Sequence, residues 1–169
     1  MMRTSFRSAM VLAALLWMGS PAYGDAVDDA TALLREGKAN EALRQVDAHL
    51  AKNPKDARGR FLKGTILAEQ QRPDEAIKLF LALTEEMPEL PEPHNNLAVL
   101  YAAKGRYEDA RRVLETAVRV HPGYALAHEN LGDIYARIAA QSYARAGKLD
   151  PKSATARTKL KLIDQLLEK

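Results

Sequence analysis

Cysteine is absent from the 169 residues. That excludes a disulfide framework, a thiolate zinc site, a CxxC redox pair and a cysteine nucleophile, and it leaves no thiol for a lipid anchor. Aromatic residues make up only 6%, with one tryptophan, Trp17. An aromatic platform for stacking single-stranded bases is therefore not expected. No Asn-x-Ser/Thr glycosylation site occurs. The glycine-rich phosphate loops and the GxSxG nucleophile elbow are missing as well. His128-Glu129 begins like HExxH, but Gly132 stands where the second histidine would have to be.

Long apolar runs are also lacking, with one exception at the start. Ala9 to Met18 is unbroken and apolar, Arg3 and Arg7 precede it, and no acidic residue occurs before Asp25. Gly19, Ser20 and Pro21 end the run, and Ala22-Tyr23-Gly24 presents small residues for cleavage. This order reads as a secretory signal, and ten residues fall short of the ~20 that span a bilayer. Residues 1–24 are thus expected to be a cleavable signal peptide directing the chain to the bacterial periplasm. Its loss leaves 23 basic against 22 acidic residues, net +1. The basic isoelectric point is then no argument for nucleic acid.

What is present in quantity is repetition. Pro54, Pro88 and Pro122 stand 34 residues apart, each after a helix-like apolar run. His94-Asn95-Asn96-Leu97-Ala98-Val99-Leu100-Tyr101-Ala102 returns as His128-Glu129-Asn130-Leu131-Gly132-Asp133-Ile134-Tyr135-Ala136, again shifted by 34. A fixed period of this size marks a stacked repeat architecture. Within each period two amphipathic helices cannot bury their apolar faces alone. Gly64, Ala98 and Gly132 on the first helix, with Ala76 and Ala110 on the second, are predicted to let the two backbones approach. Gly37 and Gly105 are suited to the positive-φ turn between helices, and the three prolines stop the second helix.

The pattern resembles the tetratricopeptide repeat. The third period carries it best, with Leu97, Ala98, Tyr101, Gly105, Tyr107, Ala110, Leu114, Ala117 and Pro122. The resemblance implies an all-α solenoid of about four helical hairpins over 25–151, divided near 25–56, 57–90, 91–124 and 125–151. The fourth is short: Pro122 to Pro151 spans 29 residues, and no Gly, Pro, Asn or Asp lies between Asp133 and Gly147. Either its two helices fuse into one, or a tight turn near 137–140 preserves the hairpin. Residues 152–169 read as a capping helix with Ser153 as N-cap, Leu160, Ile163, Leu166 and Leu167 on its inner side and a basic outer face.

The same resemblance implies a concave groove lined by the first helix of each repeat, where a protein or peptide partner lies. The lining positions are Arg58, Phe61, Leu62, Thr65 and Glu69 in the second repeat, and Glu92, Asn95, Asn96 and Val99 in the third. In the fourth they are Glu129, Asn130, Asp133 and Arg137. Asn96 and Asn130 match positions at which some family members touch the ligand backbone, and an amide both donates and accepts. Because acidic and basic residues are mixed along this wall, no pocket for a C-terminal carboxylate is expected. Charge is uneven along the chain: 25–144 holds 16 basic and 19 acidic residues, whereas 145–169 holds 7 and 3. No metal or cofactor is expected, since His94 and His128 lie about one repeat apart, roughly 10 Å, too far to share a zinc at about 2 Å. The sequence thus points to a non-catalytic interaction scaffold. Self-assembly of the array, or tethering by an uncleaved signal, are its alternatives.

Overall fold

Apolar residues three and four apart give segments such as 26–35 and 107–120 one buried stripe, the mark of a packed helix rather than a strand, while 64–68 and 93–102 are buried without a break because neighbours cover them on several sides. The computed structural model describes residues 26–168, so the predicted signal segment lies outside the described residues. Eight helices follow in order: α1 Ala26–Arg35, α2 Ala39–Lys52, α3 Ala57–Glu69, α4 Pro73–Glu86, α5 Pro91–Ala103, α6 Tyr107–Val120, α7 Ala125–Leu149 and α8 Ala154–Leu167. Each packs on the next in the chain. The described residues contain no strand.

Three hairpins, α1/α2, α3/α4 and α5/α6, share one turn. Gly37 and Gly105 hold φ of 76° and 73°, and Gln71, midway between them in sequence, holds 61°. In each case the next residue's N–H reaches back five residues, as Lys38 to Leu33 O (2.9 Å), Arg72 to Leu67 O (2.9 Å) and Arg106 to Tyr101 O (2.9 Å). That is the Schellman closure of a helix C-terminus. The second helices open with acidic first turns, Asp74 and Glu75 in α4 and Glu108 and Asp109 in α6, which the helix dipole favours.

Between hairpins the recurring proline does what its chemistry dictates. Asn53, Met87 and His121 cap the second helices with φ near −130° to −137° and ψ of 65°, 67° and 83°, outside the α region that a following proline disfavours. Pro54, Pro88 and Pro122 come next. The Nε2–H of His94 donates to Pro88 O (3.1 Å), and that of His128 donates to Pro122 O (2.9 Å). The repeated histidine thus latches the start of a first helix to the preceding turn.

Stacking follows from what sits at like positions. Ala42, Ala76 and Ala110 are fully buried, as are Val46, Phe80 and Leu114 one turn further on. Burying a side chain of Phe or Leu size stabilises by roughly 1.5–3 kcal/mol, so each repeat adds a comparable share. A Cβ on Gly64 would lie 2.8 Å from the Phe80 ring, so the space this glycine leaves is taken by an aromatic side chain of α4 and not, as expected, by its backbone. First helices also touch one another across repeats, α1 on α3, α3 on α5 and α5 on α7, while neighbouring second helices lack comparable contact. The array therefore curves with the first helices on its inner, concave side.

The fourth repeat departs from this. α7 is a single helix of 25 residues, so its two halves are fused. Arg137 to Ala140 contains no residue that would stop a helix, and the five missing residues are those of the turn. The expected close approach at Gly132 is not found: a Cβ there would meet nothing within 4 Å, because no second helix folds back over it. For the same reason Tyr135 is 48% exposed, whereas Tyr101, its counterpart one repeat earlier, is 7% exposed. The second half of α7 instead receives α8, which Ser153 caps by accepting from Ala156 N (3.3 Å). α8 packs on α7 and makes no comparable contact elsewhere, so the two form an arm at the end of the array. Ala156, Leu160, Ile163 and Leu167 turn inward. Leu166, expected among them, lies 61% exposed beside Leu162 at 60%, since a step of four residues places both on the flank of the helix.

Candidate functional site

The first helices bring the predicted groove residues onto one wall, but give them different environments. At the entrance to the wall, where α3 and α5 begin, lies a pocket of ≈ 300 Å³. Val27, Thr31, Ala57, Phe61, Leu62, Leu83, Leu90, Pro91 and Pro93 form its apolar surface, and Arg58, Glu89, Glu92 and His121 its polar rim. Four predicted residues, Arg58, Phe61, Leu62 and Glu92, thus converge here. Phe61 is set by an edge-on contact with Phe80, ring centroids 5.5 Å apart. Arg58 pairs with Asp28 across α1 and α3, which leaves Glu89 and Glu92 to give the rim its sign. The carboxylate of Glu92, after burial itself, helps push the Tyr124 phenol up to about 12.

Deeper along the wall stand the asparagines. Asn95, Asn96 and Asn130 are 1%, 3% and 7% exposed. Asn130 Nδ2 donates to Asn95 Oδ1 (2.8 Å), and Asn95 Nδ2 donates to Asn96 Oδ1 (3.4 Å). The three amides form a chain that ties α7 to α5, and buried amides are costly unless bonded in this way. Thr65 is also buried, and its hydroxyl donates to Phe61 O (3.2 Å) within α3. Glu129 and Asp133 are exposed on α7. Arg137 lies with its guanidinium 5.9 Å from the Tyr107 ring centre. Glu69, at the end of α3, has its carboxyl pushed up by burial.

The sequence had not marked Val27, Glu89, Leu90, Pro91, Pro93 or His121. Val27 shares the repeat position of Phe61, so the period alone could have found it. The others sit in or beside the turns between repeats, where the period says only that the chain reverses. Among the described residues no group of His, Asp or Glu is placed to hold a metal ion. No described helix is long and apolar enough to cross a membrane. The arrangement offers an apolar socket with a carboxylate rim, next to a wall of bonded amides.

Sequence profiles of the tetratricopeptide repeat match residues 27–91 and 67–138. A TPR repeat-containing thioredoxin of Arabidopsis thaliana, TTL4, is 34% identical over 82 residues, which is 48% of this chain and 12% of that protein. The chain therefore corresponds to a small part of this relative's length. Among solved structures, TTC0263, a thermophilic TPR protein of Thermus thermophilus, superposes with a TM-score of 0.64 at 22% identity, over 84% of this chain and 81% of that one. YrrB, described as a TPR protein with an unusual peptide-binding site, gives 0.58 at 30% identity, over 65% of this chain and 57% of that one.

Proposed function

Since the chain belongs to the tetratricopeptide repeat family, a fold generally used for protein interaction, we propose that it is a non-catalytic scaffold holding a peptide segment of a protein partner in its concave groove. The observation that carries this reading is the ≈ 300 Å³ apolar pocket opening onto the wall of first helices. The rigid array offers its side chains already in place, so little ordering cost falls on the scaffold when a partner binds. The peptide-binding site of YrrB supports a groove ligand.

We further propose that the protein works in the periplasm, on the strength of the signal-like pattern of residues 1–24. Mass spectrometry of the protein from cells is then expected to find an N-terminus at Asp25 and no tryptophan. A chain retaining Trp17 would support the tethered alternative instead.

Photo-crosslinking tests the groove. With p-benzoylphenylalanine at Glu92 or at Asp133 on the concave wall, a protein adduct is expected in cells. At Arg112, exposed on the second helix α6, none is expected. Adducts from Arg112 alone would move the partner to the convex face and end the groove reading.

A further inference from the structure

The pocket and the arm are complementary in both hydropathy and charge. The pocket is an apolar socket whose rim carries Glu89 and Glu92, with Arg58 already occupied by Asp28. The arm ends in α8, where Leu162 and Leu166 lie 60% and 61% exposed on one flank. Lys161 directly precedes the first of them, Lys159 lies about one helical turn before it, and both are exposed. From Arg145 to the C-terminus there are 7 basic residues against 3 acidic, while 25–144 carry an acidic excess of 3. An unpartnered leucine pair beside lysines is the kind of surface that an acidic-rimmed apolar socket selects.

We propose that α8 of one copy docks in the pocket of a second copy, with Leu162 and Leu166 entering the socket and Lys159 and Lys161 meeting Glu89 and Glu92. It rests on the reading that the groove accepts a helix or peptide. The arm does not occupy its own pocket. α8 packs on α7 and on little else, α7 is one unbroken helix, and no residue of α8 is among those lining the pocket, which come from α1, α3, α4, the start of α5 and the turn at His121. The two patches are different surfaces, so the contact is head-to-tail. Each added copy brings a fresh pocket and a fresh arm, and growth continues unless a ring closes. One short helix in one pocket is smaller than a standard interface, which places association at high local concentration and leaves the groove open to a partner at low concentration. The docked arm and a partner peptide would then compete for the same socket.

Sedimentation velocity on the purified protein tests this. The average mass is expected to climb past that of a dimer as concentration rises and to fall back when salt is added, because the lysine–glutamate contacts are screened. Glu89→Lys/Glu92→Lys and Lys159→Glu/Lys161→Glu are each expected to weaken association by about tenfold or more. Mixing these two variants in equal amounts is expected to restore it, since each pocket then finds an arm of opposite sign, an outcome that a misfolded variant cannot produce. A monomer at every concentration overturns the pairing, as does growth that neither charge reversal affects. Recruitment of a strictly monomeric protein to phosphatidylglycerol vesicles through α8 would overturn it too, and would assign the arm to a lipid surface. If the monomer still crosslinks to a partner from Glu92 or Asp133, the pairing alone fails and the scaffold reading stands.

Discussion

Gln71 occupies the position that glycine fills at 37 and 105, with φ of 61°. A side chain in left-handed backbone is strained by about 1–2 kcal/mol, while glycine there gives back part of that in unfolded-state entropy. Gln71→Gly is therefore expected to stabilise the protein by about 0.5–1 kcal/mol, read as a raised midpoint in urea. Gln71→Val should lower it. His94 makes a second prediction at this scale. Burial, with the Arg119 charge adding to it, holds its imidazole below the usual histidine range. Its Nε2–H is committed to Pro88 O, and a second proton, on the buried Nδ1, would find no acceptor to donate to. The unfolded chain therefore binds the proton more readily than the folded one. The contribution is full above about pH 6.5, the unfolded value, and is lost as pH falls from there through the lower folded value. Unfolding free energies measured at pH 7.5 and 5.5 should drop more for the wild type than for His94→Gln, which retains a donor toward the carbonyl.

Gly64 and Gly132 hold one repeat position two periods apart, yet their surroundings are opposite. The Phe80 ring stands 2.8 Å from a Cβ built at Gly64, and nothing lies within 4 Å of one at Gly132. Gly64→Ala is expected to cost about 1–3 kcal/mol by overpacking, whereas Gly132→Ala should gain about 0.5–1 kcal/mol through helix propensity. Thermal melts of the two variants check the contrast. A reader of the sequence would have treated the two glycines alike, because the 34-residue period is blind to a missing turn. The period did locate the first three hairpins, their prolines, the small residues at 76, 98 and 110 and the turns at Gly37 and Gly105. It did not disclose the turn at Gln71, whose side chain carries no sign of left-handed backbone. Nor did it choose between fusion and hairpin for residues 125–151, where a lack of helix breakers argued one way and the alignment of Ala139, Tyr143 and Ala146 the other. The groove was legible as a wall of first helices. Its pocket was not, because half of the lining comes from turns and from the first residues of α5. The sequence paired Asn96 with Asn130 by register, whereas the bond across the wall joins Asn130 to Asn95, which is decided by how α5 and α7 are rotated against each other.

Across the whole molecule, stability is distributed as in any repeat array, where each unit rests only on its neighbours. α3 to α6 are flanked on both sides and contain most of the fully buried side chains, Phe80, Leu83, Leu97 and Leu114 among them. At the arm, α8 has only α7 to pack on, and in it only Ala156 is buried. Amide hydrogen exchange should therefore be fastest in 140–168 and slowest in α4 and α5, following the number of packed faces. Uniform protection along the chain would contradict this gradient. The unbroken α7 also fixes how such a molecule can lengthen. A further repeat needs a free second helix to lie against, and after Tyr124 none is available, so a 34-residue cassette appended beyond α8 would have no seat. Copying 91–124 in tandem, by contrast, presents every new helix with the neighbours its parent already had.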